Sequence, residues 1–302
     1  MGATHVVHLI DASVYVFRAY FSVPDNFTDR DGNPSNAVYG FAGFLCSFLE
    51  QAQPSHIGIA FDESLEGSFR NDFYPEYKAN RSPPPIELKR QFNHCRSIAE
   101  AMGITCVSDP RYEADDLIGT LAHRKRDQGF AVSVVSSDKD LAQCIGEDDQ
   151  FWDFARNRRL NFTGVTEHFG VRPDRIIDFL ALTGDAVDNI PGVPGIGKKT
   201  ASALLGHFDG LDDIYDRLDE VSFLSLKGAA GIQNRLKTHR ELAYLSQRLT
   251  RIHLDAPIPD PEPSLRWSQP QMDELEDLFE YLKFGPLIKR RCESLANASQ
   301  HG

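Results

Sequence analysis

Val6-Val7-His8-Leu9-Ile10-Asp11 is a short β-type run closed by a carboxylate, and the same pattern returns twice along the chain. Ile57-Gly58-Ile59-Ala60-Phe61 runs into Asp62, and Ala131-Val132-Ser133-Val134-Val135 is followed closely by Asp138. Such Val- and Ile-rich runs predict strands over 5–11, 56–62 and 131–137, with another over 104–108. Helical patterns lie between them. Asn36 to Gln51 carries an apolar stripe, Pro85 to Met102 is ended by Gly103, and Ala114 to Gln128 is ended by Gly129. Strand–helix alternation at this spacing predicts an α/β fold, a parallel sheet covered by helices on both faces. Carboxylates at the C-terminal ends of such strands project into the crevice where open α/β sheets bind ligands.

Nine acids fall at the ends of apolar runs or inside tight acidic pairs: Asp11, Asp62, Glu113, Asp115, Asp116, Asp138, Asp140, Asp185 and Asp188. Taken singly, each has an ordinary explanation. Glu113-Ala114-Asp115-Asp116 suits the first turn of a helix, and Ser137-Asp138-Lys139-Asp140 suits a turn after a strand. Taken together they end neighbouring strands, and so many carboxylates brought together without a counterion would repel one another. Hard divalent cations relieve that cost through oxygen ligands. The pattern therefore predicts a metal-dependent enzyme acting on something phosphorylated.

Between Asp62 and Pro85 the periodicity fails, and the segment turns aromatic and basic, with Phe69, Arg70, Phe73, Tyr74, Tyr77, Lys78 and Arg81. An irregular segment of this length beside a ligand crevice carries function or disorder. From about residue 171 helices follow one another across Gly-rich turns, at 174–183, 199–207, 211–218 and 230–248. Pro257, Pro259, Pro261 and Pro263 then break the chain before a last amphipathic helix, Met272 to Phe284, that folds back on the body. These shifts divide the chain into 1–170, 171–256 and 257–302. Within the second part, Gly192 to Lys199 nearly fits a P-loop, but Lys199 stands where the magnesium-binding hydroxyl belongs and no strand precedes it. A helix–hairpin–helix fits better: Gly192, Gly195 and Gly197 allow close backbone approach, and the next helix, opening on Lys198, Lys199 and Thr200, directs its N–H groups at a DNA phosphate.

Composition sets the outer bounds. The chain has 302 residues, 41% apolar and 25% charged, ordinary values for a soluble globular protein. No apolar run is long enough for a membrane span and no signal peptide is visible, so no membrane partner is expected. Five scattered cysteines without a Cys-x-x-Cys pair predict reduced thiols and a cytoplasmic location. The net charge of −12 argues against a nucleic-acid partner, but setting aside the nine clustered acids leaves 35 acids against 32 basic residues. Basic side chains also gather at Arg70, Lys78, Arg81, Lys89 and Arg90, where the local field outweighs the total.

In order, the chain carries Leu9-Ile10-Asp11; Asn36-Ala37-Val38-Tyr39-Gly40-Phe41; Ala60-Phe61-Asp62; Tyr74-Pro75-Glu76-Tyr77-Lys78-Ala79-Asn80-Arg81; Tyr112-Glu113-Ala114-Asp115-Asp116; Ser137-Asp138-Lys139-Asp140; and Leu182-Thr183-Gly184-Asp185-Ala186-Val187-Asp188-Asn189. This set resembles the 5′-nucleases of the flap endonuclease superfamily over most of residues 5–255, and most nearly the N-terminal 5′→3′ exonuclease domain of bacterial DNA polymerase I. The resemblance implies a PIN-like sheet with an arch at about 64–90, a helical helix–three-turn–helix DNA-binding region, two magnesium or manganese ions, and a potassium ion at the hairpin. It implies Asp11, Asp62, Glu113 and Asp115 around one ion and Asp138, Asp140 and Asp188 around the other, with Asp116 and Asp185 further out. Lys78 and Arg81 would steady the scissile phosphate, Tyr77 would stack on a base, and Arg70 would touch DNA. The expected partner is DNA with a 5′ end or 5′ flap at a single-strand/duplex junction, bound by a monomer that is a stand-alone nuclease. Asn71 and Asp72 depart from the family's usual His-Glu, and Ala186-Val187 from a more polar pair. A PIN-type ribonuclease and a non-catalytic DNA-binding protein are the alternatives, the first opposed by the hairpin and the second by the complete acid set.

Overall fold

Apolar side chains at successive positions suit a strand buried on both faces, and the runs read from the sequence form the middle of one sheet. The computed structural model describes residues 5–63, 67–259 and 262–298. Its strands are β1 (Val6–Asp11), β2 (His56–Ala60), β3 (Thr105–Val107), β4 (Ala131–Val135), β5 (Gln150–Asp153) and β6 (Arg158–Asn161). They lie in the order β3-β2-β1-β4-β5-β6, parallel except for β6, which runs antiparallel to β5. Neither β5 nor β6 was expected. Gln150-Phe151-Trp152-Asp153 is short and polar at both ends, and Arg158-Arg159-Leu160-Asn161 has the charged composition of a protected sheet edge.

The helices are α1 (Ala12–Ser22), α2 (Asn36–Ala52), α3 (Ile86–Ala101), α4 (Ala114–Asp127), α5 (Phe162–Phe169), α6 (Ile176–Thr183), α7 (Lys198–Leu205), α8 (Leu211–Asp216), α9 (Ala229–Thr238), α10 (Arg240–Thr250), α11 (Met272–Tyr281) and α12 (Pro286–Ala298). The strand period of two divides them between the faces. Val7, Leu9, Val132 and Val134 pack with the buried side chains of α4 and α6. Ile10, Ile57, Ile59 and Val135 pack with α1, α2, α3, α11 and α12. The stretch expected as one helix over 230–248 is two, broken at His239, which caps both the end of α9 and the start of α10. α1, α5 and α12 were not expected. α1 begins directly at the end of β1 with Asp11 as its N-cap, so no turn residues announce it.

The chain after α10 returns across the sheet. Ile57 donates its backbone N–H to Leu265 at 2.7 Å and Trp267 donates to Ser55 at 2.9 Å, while the Trp267 indole donates to the Met102 carbonyl at 2.9 Å. Leu265 is fully buried against Gly58. α12 then closes over α2, where Arg291 pairs with Glu50. Among the described residues, no helix is long and apolar enough to cross a membrane.

Candidate active site

Three parallel strands deliver acids to one edge of the sheet: Asp11 ends β1, Asp62 follows β2 and Asp138 follows β4. The N-terminus of α4 points at the same edge and adds Glu113 and Asp115. Short hydroxyl and amide bonds tie the group together. Ser136 Oγ donates to Asp11 Oδ2 at 2.9 Å and accepts from the Asp138 N–H at 3.0 Å. Asp62 accepts from the first N–H of α4, at Ala114, at 2.9 Å, and from the Ser13 hydroxyl. Ser13 and Ser136 were not singled out in the sequence. A serine near a strand end has no signature of its own, although both lie within two residues of a clustered acid.

The acids crowd one another. Burial, then Asp62 and Asp138, push the Asp11 carboxyl up to about 7. Burial, then Asp138 and Asp11, raise Asp115 well above the carboxylate range. Burial, then Asp138, raise Asp140 to about 7. Cationic side chains offset part of this repulsion. Lys78 Nζ lies 2.9 Å from Glu113 Oε2 and 3.8 Å from Asp188 Oδ2, and Arg81 pairs with Asp188. Lys139, another residue not singled out, pairs with Asp185 and lies 3.6 Å from Asp140 Oδ1. Burial disfavours charge at Glu113, but Lys78 and Arg70 outweigh it and hold the carboxyl below its usual range.

Among the described residues, no three His, Cys, Asp or Glu side chains are already gathered closely enough to hold a metal ion. The donor set nonetheless fits a hard divalent cation. It is made of carboxylate oxygens, three of the acids are raised in pKa by burial and then by one another's charge, and the buried Asp140 Oδ1 accepts no hydrogen bond. Such an ion would take over the part that Lys78, Arg81 and Lys139 play here.

Beside the acids, Asp62, Ser68, Asn71, Tyr77, Lys78 and Glu113 line part of a cleft of about 370 Å³. Of the expected arch, residues 64–66 lie outside the described residues. The rest begins with a 3₁₀ turn, Phe69–Asp72, and leads through further turns to α3.

Four expectations are corrected. Arg70 does not face DNA. It is 2% exposed, its guanidinium grips both oxygens of Asp116 at 2.8 Å, and it donates to the Leu249 and Arg251 carbonyls. Asp116 is therefore no metal ligand, since Arg70 and the His253 N–H occupy its oxygens in a fully buried position. Tyr77 offers no ring face for a base. It is 5% exposed, packs with Ile190 and Leu249, and donates its hydroxyl to Glu113 at 3.1 Å. Gly192 is buried too, with its N–H donated to Ser246 Oγ at 2.9 Å. The other hairpin positions, Gly195, Gly197, Lys198 and Lys199, are exposed, with Thr200 partly so, and Gly197 leaves the start of α7 without a side-chain cap.

Residues 6–170 match the family described as 5′-3′ exonuclease, N-terminal resolvase-like domain, and residues 171–273 match 5′-3′ exonuclease, C-terminal SAM fold. A 5′-3′ exonuclease of Buchnera aphidicola subsp. Schizaphis graminum is 38% identical over 250 residues, covering 83% of this chain and 87% of the relative. DNA polymerase I of Pseudomonas aeruginosa is 37% identical over 295 residues, which make up 97% of this chain and 32% of that protein. The chain thus spans a third or less of the DNA polymerase I relatives. The T5 5′-exonuclease with bound divalent metal ions (zinc) shares the fold at a TM-score of 0.66 and 19% identity, over 97% of this chain and all of that one. The catalytic core of Rad2 in complex with DNA substrate does so at 0.64 and 15%, over 98% of this chain and 93% of that one. With its acid-lined sheet edge and its helical second half each accounted for by one of the two family matches, the chain belongs to the 5′-3′ exonuclease family.

Proposed function

We propose that this chain is a divalent-metal-dependent 5′→3′ exonuclease and 5′-flap endonuclease that hydrolyses DNA phosphodiesters, leaving 5′-phosphate and 3′-hydroxyl ends. The observation that carries this reading is the meeting of crowded carboxylates with two cations, Lys78 and Arg81, at one edge of the sheet. Asp11, Asp62, Glu113 and Asp115 would hold one magnesium or manganese ion, and Asp138, Asp140 and Asp188 a second. When bound, such ions supply a deprotonated water and stabilise the charge of an in-line displacement.

The chain's own residues do the rest. Burial disfavours the ammonium of Lys78, but Glu113 outweighs it and keeps Lys78 protonated far above neutral pH. A DNA phosphate entering the cleft would offer Lys78 and Arg81 a second anion. Each would then move from carboxylate to scissile phosphate and act where charge develops. The exposed Gly195, Gly197, Lys198, Lys199 and Thr200 would hold duplex backbone without reading its sequence, with a potassium ion supporting the hairpin. The partner would be a 5′ end or 5′ flap at a junction, bound by a monomer in the cytoplasm.

A labelled 5′-flap DNA incubated with and without magnesium tests this. Cleavage should require the ion, and Lys78→Ala should lower the rate at saturating DNA by about 10²–10³-fold while affinity changes little. Metal-independent cleavage, or a Lys78 variant impaired only in affinity, would overturn the mechanism as drawn.

A further inference from the structure

Two non-glycine residues of the site stand in the left-handed region, Lys78 at φ 56° and Asn189 at φ 57°. Backbone of this kind persists only where surrounding contacts enforce it. Both belong to one seam, where the turn at 76–81 meets the acidic loop 185–190. At its centre the Lys78 N–H donates to the Asp188 carbonyl at 3.0 Å. On one side Asn189 Nδ2 donates to the Glu76 carbonyl at 2.7 Å, and on the other Asn80 Nδ2 donates to the Ala186 carbonyl at 2.7 Å. Apolar packing does little across most of the seam, for Val187 within it is 64% exposed. Of the described loop residues, Ile190 at one end packs with Tyr77. Polar contacts therefore set how the turn sits on the loop: the two asparagine amides, and Arg81, which bonds the Val187 carbonyl and pairs with Asp188.

That register decides where a cation can reach. The Lys78 side chain is flexible, so its ammonium meets Glu113 and Asp188 only because its backbone is fixed beside them. We infer that Asn189, assisted by Asn80, is a positioning residue that presents Lys78 to the acidic crevice. The inference rests on the proposed role of Lys78 at the scissile phosphate. Loss of the clamp leaves every charged group present but misplaced, and a displacement of about 1 Å costs on the order of 10²-fold in rate.

Asn189→Gly isolates the amide, because glycine keeps the left-handed backbone at no steric cost. Asn80→Ala, at an exposed position, serves as a second variant should the first not fold. Two readouts are used, both on proteins shown to be folded by their melting curves. The first is the single-turnover rate on saturating 5′-flap DNA with magnesium, for Asn189→Gly, Lys78→Ala and the double variant. Asn189→Gly should lose roughly 10–100-fold in rate with DNA affinity within about twofold. In the Lys78→Ala background the same change should add less than about twofold, because positioning acts through Lys78. The second readout needs no cleavage: acetylation of Lys78 by acetic anhydride in metal-free protein, followed by mass spectrometry, should quicken in Asn189→Gly. Additive rate losses, or an unchanged rate with unchanged acetylation, would overturn the inference. If the wild type cleaves nothing while Lys78 acetylation still quickens, the positioning role stands and the nuclease reading falls.

Discussion

Asp115 and Asp116 are adjacent in sequence and opposite in task, because successive positions at the start of α4 point about 100° apart around the helix. Asp115 turns toward the other acids, whereas Asp116 turns inward to Arg70. Asp116→Asn should leave the Arg70 charge buried and poorly matched, costing on the order of 3–5 kcal/mol in a urea melt. Asp115→Asn should instead raise the metal-free melting temperature by relieving repulsion, and abolish cleavage. A different kind of buried group sets a pH dependence. His8 is 7% exposed beside Phe48 and Trp152, and burial, then Arg159, lower its pKa from 6.5 to about 4. Above pH 6.5 both folded and unfolded chains carry it neutral. Between 6.5 and 4 only the unfolded chain takes up the proton, so stability falls through that window by up to roughly 3 kcal/mol. His8→Leu should flatten the wild-type loss there, measured as urea midpoint against pH. The clustered acids were legible because strand ends fix where their side chains point. Arg70 and Tyr77 were not, since an aromatic and basic stretch reads alike whether it faces solvent or the interior. The Asp116 that claims Arg70 lies 46 residues away.

The hairpin between α6 and α7 shows how glycine shapes an element without touching a ligand. Gly184 and Gly192 lie back to back at φ 67° and 64°, and a Cβ on Gly192 would come within 2.3 Å of the Gly184 nitrogen. This pairing folds the turn tightly enough to leave Gly195, Gly197, Lys198 and Lys199 at the surface, while Ile196 between them is buried. Lys198→Ala with Lys199→Ala should weaken binding to duplex DNA with little loss of rate at saturation. The log–log salt slope should flatten by roughly 0.9 for each DNA phosphate that no longer meets a lysine. An unchanged slope, measured by fluorescence anisotropy over a salt series, would reduce the hairpin to a helix junction. The hairpin was readable because Pro191-Gly192-Val193-Pro194-Gly195-Ile196-Gly197 excludes both helix and strand. Its division of labour was not, because burial of Gly192 depends on Ser246 in α10. The break between α9 and α10 was missed for the related reason that neither proline nor glycine marks it; His239 closes one helix and opens the next.

At the scale of the whole molecule, the alternation of strands and helices through residue 135 revealed the sheet, but not what closes it. β5 and β6 extend it with short, half-polar strands, and residues 265–267 bond across its β2 side. Leu265, at φ 59° and fully buried, fills the space that Gly58 leaves open. Leu265→Ala should cost about 2–5 kcal/mol by leaving a cavity that the sheet cannot collapse. The rate at saturating DNA should be unchanged below the melting temperature, because Leu265 packs back along β2 from Asp62. Equilibrium unfolding and the flap assay together separate the two effects. The same closure also has a timetable. Leu265 is made about 200 residues after Gly58, which at about 5–20 residues per second is roughly 10–40 s on the ribosome. Until Leu265 and α12 emerge, a nascent chain carries uncovered the parts of β2 and α2 on which they pack, so its window for aggregation there is set by translation speed rather than by folding rate.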